Sequence, residues 1–175
     1  MAKVLFLYST TDGHTIEICK RMKVVIEAAG DDVEIRNLAE TPSLDGFAFD
    51  KIVIGASIRY GKHQKVVNEF IDRNQAALEG ATNALFSVNV VARKPEKNTP
   101  ETNPYLQKFL RKIDWQPQHL GVFAGRIDYP SLGPFDRTMI RFILWMGKGP
   151  TDPTQVVEFT DWEKVDEFGR VIASL

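Results

Sequence analysis

A hydroxyl-rich segment near the start of the chain has the residue types that bind an anion. It reads Ser-Thr-Thr-Asp-Gly-His-Thr over residues 9–15, between an apolar run at residues 4–8 and a helical pattern that begins at about residue 15. The unpaired N–H groups and positive dipole end of a helix N-terminus favour negative charge. We expect a phosphate to be bound here by Ser9, Thr10, Thr11, Asp12, Gly13, His14 and Thr15.

This segment lacks the signatures of the common nucleotide sites. Neither the Walker A pattern Gly-x-x-x-x-Gly-Lys-Ser/Thr nor the dinucleotide pattern Gly-x-Gly-x-x-Gly occurs in it. A monophosphate is therefore favoured over a nucleoside triphosphate. A Ser/Thr/Asp/Gly turn before a helix is also an ordinary N-cap, and this alternative stays open.

Length and composition indicate one domain over residues 1–175. The net charge is −1, but residues 93–150 carry ten Lys and Arg against five Asp and Glu. Glutamates and prolines interrupt these basic residues and no recognition motif accompanies them, so we expect no nucleic-acid partner. Three scattered histidines and a single cysteine, Cys19, predict neither a metal site nor a disulfide, and Cys19 is expected to be a buried apolar residue in a cytoplasmic protein.

Strands and helices alternate along the sequence. Branched apolar runs predict strands at residues 4–8, 32–37, 51–56, 84–91 and 119–125, and helical spacing predicts helices at 15–29, 64–79, 104–113 and 161–174. Such alternation is typical of a doubly wound α/β domain with a five-stranded parallel sheet, for which the order 2-1-3-4-5 is the simplest choice. No run approaches the roughly 20 apolar residues that a spanning helix needs.

In this topology the segments after strands one, three and four converge at the carboxyl edge of the sheet. We therefore expect a pocket for a flat, phosphorylated cofactor. Tyr60 could stack on its ring, and Gly55 and Gly61 would give the backbone freedom beside it. The expected contacts beyond the first loop are Ser57, Ile58, Arg59, Tyr60, Gly61, Ser87, Val88, Asn89, Val90, Val91, Ala92 and Arg93.

The sequence resembles the flavodoxin family over essentially its whole length. Residues 54–61 (Ile-Gly-Ala-Ser-Ile-Arg-Tyr-Gly), 87–97 and 160–162 (Thr-Asp-Trp) more narrowly resemble the flavodoxin-like, quinone-dependent protoporphyrinogen IX dehydrogenases of bacterial haem synthesis. The resemblance implies bound FMN, oxidation of protoporphyrinogen IX, and transfer of the electrons to a respiratory quinone by an enzyme peripheral to the inner membrane. His14 departs from the small or amide residue expected there, and its imidazole is interpreted as a bystander, a phosphate partner or a cap.

Two other functions fit the same fold. One is a flavodoxin-type electron carrier, which would have an acidic face around the flavin, whereas Arg59, Arg93 and Lys94 make these loops basic and favour anionic ligands. The other is an NAD(P)H:quinone oxidoreductase, for which the sequence offers no recognisable nicotinamide site. We name no catalytic residue in any of these hypotheses, because the flavin carries the redox chemistry.

An inserted segment at about residues 129–153 contains a predicted amphipathic helix over residues 135–146. Residues 156–160 would then return as a second piece of strand five. The first interpretation is that the apolar face of the helix packs on the domain's own sheet; a membrane, quinone or porphyrin surface, or a dimer contact, is the alternative. That face comprises Phe135, Met139, Phe142, Ile143 and Met146, with Arg137 and Arg141 opposite.

Basic residues are the candidates for binding the substrate's carboxylates. Residues 93–103 form a polar, proline-broken loop, interpreted either as a solvated loop or as a mobile flap. A guanidinium can bind a propionate through two hydrogen bonds, which favours arginine over lysine. The expected substrate residues are Arg93, Lys94, Arg126 and Arg137.

Overall fold

Eight strands follow one another in the computed structural model, which describes residues 1–175. They are β1 (Lys3–Ser9), β2 (Asp32–Asn37), β3 (Lys51–Arg59), β4 (Lys62–His63), β5 (Thr82–Val88), β6 (His119–Phe123), β7 (Arg126–Asp128) and β8 (Val156–Glu158). Five of them form a parallel sheet in the order β2-β1-β3-β5-β6. This confirms the predicted order 2-1-3-4-5.

Helices cover both faces of the sheet. They are α1 (His14–Ala28), α2 (Lys65–Glu79), α3 (Pro104–Leu110), α4 (Pro134–Met146) and α5 (Trp162–Ser174). Side chains alternate along β1, so that Val4 and Phe6 pack under α1 and α5 while Leu5 and Leu7 pack under α2 and α3. Cys19 is buried in the first of these layers, as predicted. None of the helices is long and apolar enough to span a bilayer.

The carboxyl ends of β3 and β5 differ from the prediction. β3 runs on to Arg59 and turns back through Tyr60 and Gly61 into β4, because both turn residues adopt the positive φ (51° and 76°) of a two-residue hairpin. β5 ends at Val88 rather than at residue 91, since the Asn89 side chain accepts a hydrogen bond from Ala92 N–H and starts a 3-10 turn.

Gly55 has a different role from the one expected. It lies inside β3, and a Cβ on it would come within 2.2 Å of Phe86 Cζ. The phenylalanine ring from β5 therefore packs directly on the glycine backbone. Close packing, and not backbone freedom beside a ligand, requires glycine here.

The inserted segment forms its own small unit. β8 pairs antiparallel with β7, Val157 opposite Ile127, and does not return to the main sheet as a second piece of strand five. Ile127, Tyr129 and Leu144 make a separate apolar cluster that holds this ribbon to α4.

Helix α4 does not pack its apolar face on the sheet, which was the first of the interpretations left open by the sequence. Phe135 is 70% exposed and Phe142 is 52% exposed, whereas only Leu144 of this helix is buried. The basic side of the helix faces the protein instead. Arg137 Nε donates to Tyr129 O at 3.1 Å and Arg141 Nε donates to Thr151 O at 2.8 Å, so the two arginines satisfy loop carbonyls. Of the apolar face, Phe135, Phe142 and Met146 point outward, whereas Met139 and Ile143 face a cavity.

His63 provides a test of this packing by pH. Its ring lies 4.5 Å from that of Phe109, its Nε2 is 3.0 Å from Ser87 Oγ, and burial lowers its pKa to about 4. The folded-state pKa lies below the ordinary value of 6.5, so the unfolded chain takes up a proton first as the pH falls. Stability should therefore decline from about pH 6.5 to pH 4, by about 3 kcal/mol from this residue.

The measurement is urea unfolding at several pH values for the wild type and His63→Gln. The neutral glutamine should remove this part of the pH dependence while the carboxylate contributions, common to both proteins, remain. Parallel stability curves for the two proteins would contradict the assignment.

Candidate functional site

A cavity of about 590 Å³ opens at the carboxyl edge of the sheet. Its volume falls within the range of about 300–1,000 Å³ typical of cofactor sites. Three predicted segments meet in it, together with residues of β7 and α4. The predicted residues that line it are Thr10, Thr11, Asp12, His14, Thr15, Ser57, Ile58, Arg59, Tyr60, Gly61, Val88, Asn89, Val90, Val91 and Arg126.

The first loop is shaped as an anion site. Gly13 takes the N-cap position of α1 with φ +80°, and no side chain caps the helix. Its N–H donates to Thr10 Oγ1 at 2.9 Å. Thr15 Oγ1 is buried at the same end of the helix without a hydrogen-bond partner. An arriving phosphate would therefore find free donors, which favours the anion site over an ordinary N-cap.

A glutamine outside the predicted segments holds this loop in place. Gln64 Oε1 accepts from Ser9 Oγ at 2.5 Å, and Gln64 Nε2 donates to Thr10 O at 3.2 Å and to Thr11 Oγ1 at 3.3 Å. Ser9 is therefore engaged with Gln64 and does not line the cavity. Nothing in the sequence points to Gln64 beyond its place directly before α2.

The second wall carries another unpartnered hydroxyl. Ser57 Oγ is buried without a hydrogen-bond partner, and Ser57 lines the cavity. Tyr60, at the hairpin turn, is half-exposed on the rim. The polar and aromatic residues of this wall fit a ring system with polar edges, and the first loop fits a phosphate. The site thus suits a phosphorylated flavin.

Arg59 links three elements around the mouth of the cavity. Its guanidinium pairs with Asp12 of the first loop and lies 3.4 Å from Asp136 of α4. The Tyr60 hydroxyl also donates to Asp136, and this hydrogen bond raises the pKa of Tyr60. Arg59 is therefore committed to carboxylates of the protein.

Most of the predicted substrate residues do not reach the cavity. Arg93 Nη2 donates to the carbonyl oxygen of Gly147, the residue after α4, at 3.1 Å. Arg93 Nη1 donates to Val90 O. Arg137 is held by loop carbonyls, and neither Lys94 nor Arg137 lines the cavity. Of the four, only Arg126 does. Loop carbonyls compete for guanidinium groups, and the sequence does not show this competition. Gly13, Ser87 and Ala92 also lie outside the lining.

The side chain of His14 links the start of α1 to the segment that precedes α5. Its Nε2 lies 2.6 Å from Thr160 Oγ1 and 3.5 Å from Glu158 Oε1, and burial lowers its pKa. Asp161 caps α5, and the ring of Trp162 meets that of His14 edge-on at 5.8 Å. The Thr-Asp-Trp motif thus joins the start of α1 to the start of α5, and His14 is held by the protein.

Helix α4 closes the cavity with apolar side chains. Met139, Ile140, Ile143 and Leu144 line it, opposite the residues that follow β3. The insertion is therefore a wall of the site. Three further lining residues, Lys62, Tyr105 and Lys108, come from β4 and α3 and lie outside the predicted segments.

The sheet order, the uncapped first helix and the loop geometry define a flavin-binding α/β domain. A model of the flavodoxin domain family matches residues 5–154, and the chain belongs to that family. A solved flavodoxin from Megasphaera elsdenii shares the fold with a TM-score of 0.60 at 16% identity, over 98% of this chain and 99% of its own.

Curated relatives narrow the family. The chain is 41% identical over 173 residues to protoporphyrinogen IX dehydrogenase (quinone) of Escherichia coli K12, covering 99% of this chain and 96% of that protein. It is 39% identical to the enzyme of the same name from Leishmania major, over 99% of this chain and 75% of that protein. The protein is thus a flavoprotein oxidoreductase in the group of these dehydrogenases.

The first loop can be tested with two matched glycines. Gly13 and Gly46 both have φ +80° and open space where a Cβ would be. Valine at either position should cost about 1–2 kcal/mol of stability, because the left-handed conformation disfavours a side chain. Only Gly13→Val should also weaken FMN binding, because it distorts the loop that binds the phosphate. A loss of about 1.4 kcal/mol of binding free energy would raise the Kd for FMN about tenfold.

The measurement is an FMN titration followed by flavin fluorescence, with unfolding curves for both variants. Gly46→Val serves as the control for global stability. Equal FMN affinity in the two variants would contradict the anion-site assignment.

Proposed function

We propose that this protein oxidises protoporphyrinogen IX to protoporphyrin IX with FMN as its cofactor, passing the electrons to a respiratory quinone, menaquinone or ubiquinone, in haem biosynthesis. One observation carries the proposal. The cavity joins a phosphate-type loop with unpartnered hydroxyls to an apolar wall supplied by α4. A large, mostly apolar substrate beside a flavin requires such a combination, and the names of the curated relatives agree with it.

The protein's own residues hold and shield the cofactor. Thr15 and the N–H groups at the start of α1 would bind the FMN phosphate, and the loop that Gln64 clamps keeps them in place. FMN supplies the redox chemistry, because it takes two electrons from an organic substrate and gives them to a quinone. Met139 and Ile143 exclude water from the opposite wall.

No side chain at the site is required as a general base. His63 remains neutral at physiological pH because burial lowers its pKa to about 4, and its ring faces Ser87 and Phe109. The imidazole of His14 is held by Thr160. Binding, orientation and exclusion of water are therefore the tasks of this chain.

We also propose that the protein binds the cytoplasmic surface of the inner membrane through α4. Phe135, Phe142 and Met146 are exposed on the outer side of a helix whose Met139 and Ile143 line the cavity. The exposed apolar side is thus continuous with the site. A lipid-soluble quinone would reach the flavin along this surface. We therefore propose that the exposed apolar side of α4 contacts a lipid bilayer.

The proposed activity is tested in the absence of oxygen, since air oxidises the substrate. FMN-loaded protein is mixed with protoporphyrinogen IX, with and without a menaquinone analogue, and the rise in protoporphyrin fluorescence is recorded. A rise that needs both FMN and quinone is expected. If none occurs and the flavin is still reduced by NADPH or by a reductase, the protein is an NAD(P)H:quinone oxidoreductase or an electron carrier.

Membrane binding is tested by flotation with liposomes of anionic lipid. Phe135→Ser and Phe142→Ser together should remove most binding while folding is retained, because both side chains are exposed and contribute little to the core. Val24→Ser changes an apolar residue that is 67% exposed on α1 and should have no effect. Undiminished flotation of the double variant would refute this placement.

A further inference from the structure

Three cations line the cavity without a carboxylate partner. They are Lys62, Lys108 and Arg126, and none of them takes part in any ion pair of the structure. Of the two carboxylates on the cavity wall, Asp12 pairs with Arg59. Asp128 accepts hydrogen bonds from the N–H and Oγ of Ser131 and offsets only one of the three charges. The cavity therefore still carries positive charge that the protein does not neutralise.

The two lysines lie on one wall. Lys62 directly follows the Tyr60–Gly61 turn, and a Cβ on Gly61 would lie 3.2 Å from Tyr105 Cε1, so α3 packs against this turn. Lys108 follows Tyr105 by three residues in α3 and shares its helix face. Both lysines therefore lie beside the aromatic rim that Tyr60 and Tyr105 form.

Arg126 belongs to a different wall. It begins β7 directly after Gly125, and a Cβ on that glycine would lie 3.9 Å from His14 Cδ2. The positive charge of Arg126 contributes to lowering the pKa of His14, at the first residue of α1. Arg126 therefore lies on the side of the phosphate loop, whereas the two lysines lie beside the Tyr60–Gly61 turn.

We propose that Lys62 and Lys108 bind the two carboxylates of the substrate and thereby set its orientation in the cavity. The inference rests on the proposed function and assigns the recognition of its substrate class, a tetrapyrrole with two propionates on one edge. Two cations on one wall match two anions on one edge. The rim tyrosines present rings to the pyrroles of the macrocycle, and its apolar remainder then faces Met139 and Ile143 of α4.

Lysine suits this task at a rim that is open to water. Its ammonium is a point charge on a flexible stem and tolerates a carboxylate that moves as the ring turns between successive oxidations. A porphyrinogen must lose electrons from more than one position of its macrocycle. Contacts at the propionates that tolerate small shifts would retain the substrate between these steps.

The test measures binding, so that it does not depend on turnover. Protoporphyrin IX and its dimethyl ester are titrated into FMN-loaded protein, and quenching of flavin fluorescence gives each Kd. For Lys62→Gln/Lys108→Gln we expect the Kd of the diacid to rise about tenfold, as for the loss of two partly exposed ion pairs, and that of the ester to stay unchanged. Raised salt should weaken diacid binding to the wild type only.

The matched control is Lys94→Gln/Lys112→Gln. It also removes two positive charges, but from lysines that do not line the cavity. Equal diacid affinity in the control and test variants would overturn the inference. So would a loss of FMN in place of a loss of porphyrin, or the whole effect appearing in Arg126→Gln alone. Wild type that binds neither porphyrin also overturns it.

Failure of the proposed function gives a different pattern. Wild type that prefers the diacid through the two lysines but shows no quinone-dependent oxidation of protoporphyrinogen IX would support the binding site and refute the activity. Quinone-dependent turnover by the wild type, together with an unchanged diacid affinity in the double variant, would support the activity and refute the binding site.

Discussion

The site depends on the parallel pairing of β1 with β3. These strands are neighbours in register, with Ser9 opposite Ala56, yet the chain leaves them toward opposite faces of the sheet. After β1 it enters α1, which packs beside α5; after β3 it reaches α2 on the other side. A crevice must open between two connections that diverge, and it opens where the unpaired N–H groups of α1 begin. Each later feature of the site borders this crevice.

The fold was predictable because its signals are local. Runs such as Ile52–Val53–Ile54 are buried on both faces of the sheet and show in any window of the sequence. The order of the strands follows from right-handed crossovers. Strand ends were less predictable, since Asn89 ends β5 through a hydrogen bond to a backbone N–H three residues later, and the apolar run continues past it.

Side-chain contacts across the chain were not predictable in this way. The periodicity of α4 showed an apolar stripe, but the docked side was decided by where Tyr129 and Thr151 place their carbonyls. Arg93 likewise donates to a backbone carbonyl, that of Gly147, and so does not line the cavity. Charge along the sequence was therefore only a partial guide to charge in the cavity. Arg93, Arg137 and Arg141 of the basic stretch satisfy backbone carbonyls. Lys108 and Arg126 of the same stretch line the cavity, as does Lys62 from outside it.

The cavity is amphipathic across its width, and this asymmetry constrains how substrate and acceptor can share it. Unpaired lysines and tyrosines border it on the side of β4 and α3, and the apolar side chains of α4 border it on the other. A substrate with charged groups on one edge has only one orientation that keeps them hydrated and paired, because burying an unpaired carboxylate is costly. The quinone of the proposed function would have the opposite requirement, since an apolar molecule gains about 25 cal/mol for each Å² that it buries. Arg59 ties the first loop to α4 across the mouth. In the proposed function, the charged edge of the substrate would lie on the side of β4 and α3, and the quinone would approach along α4.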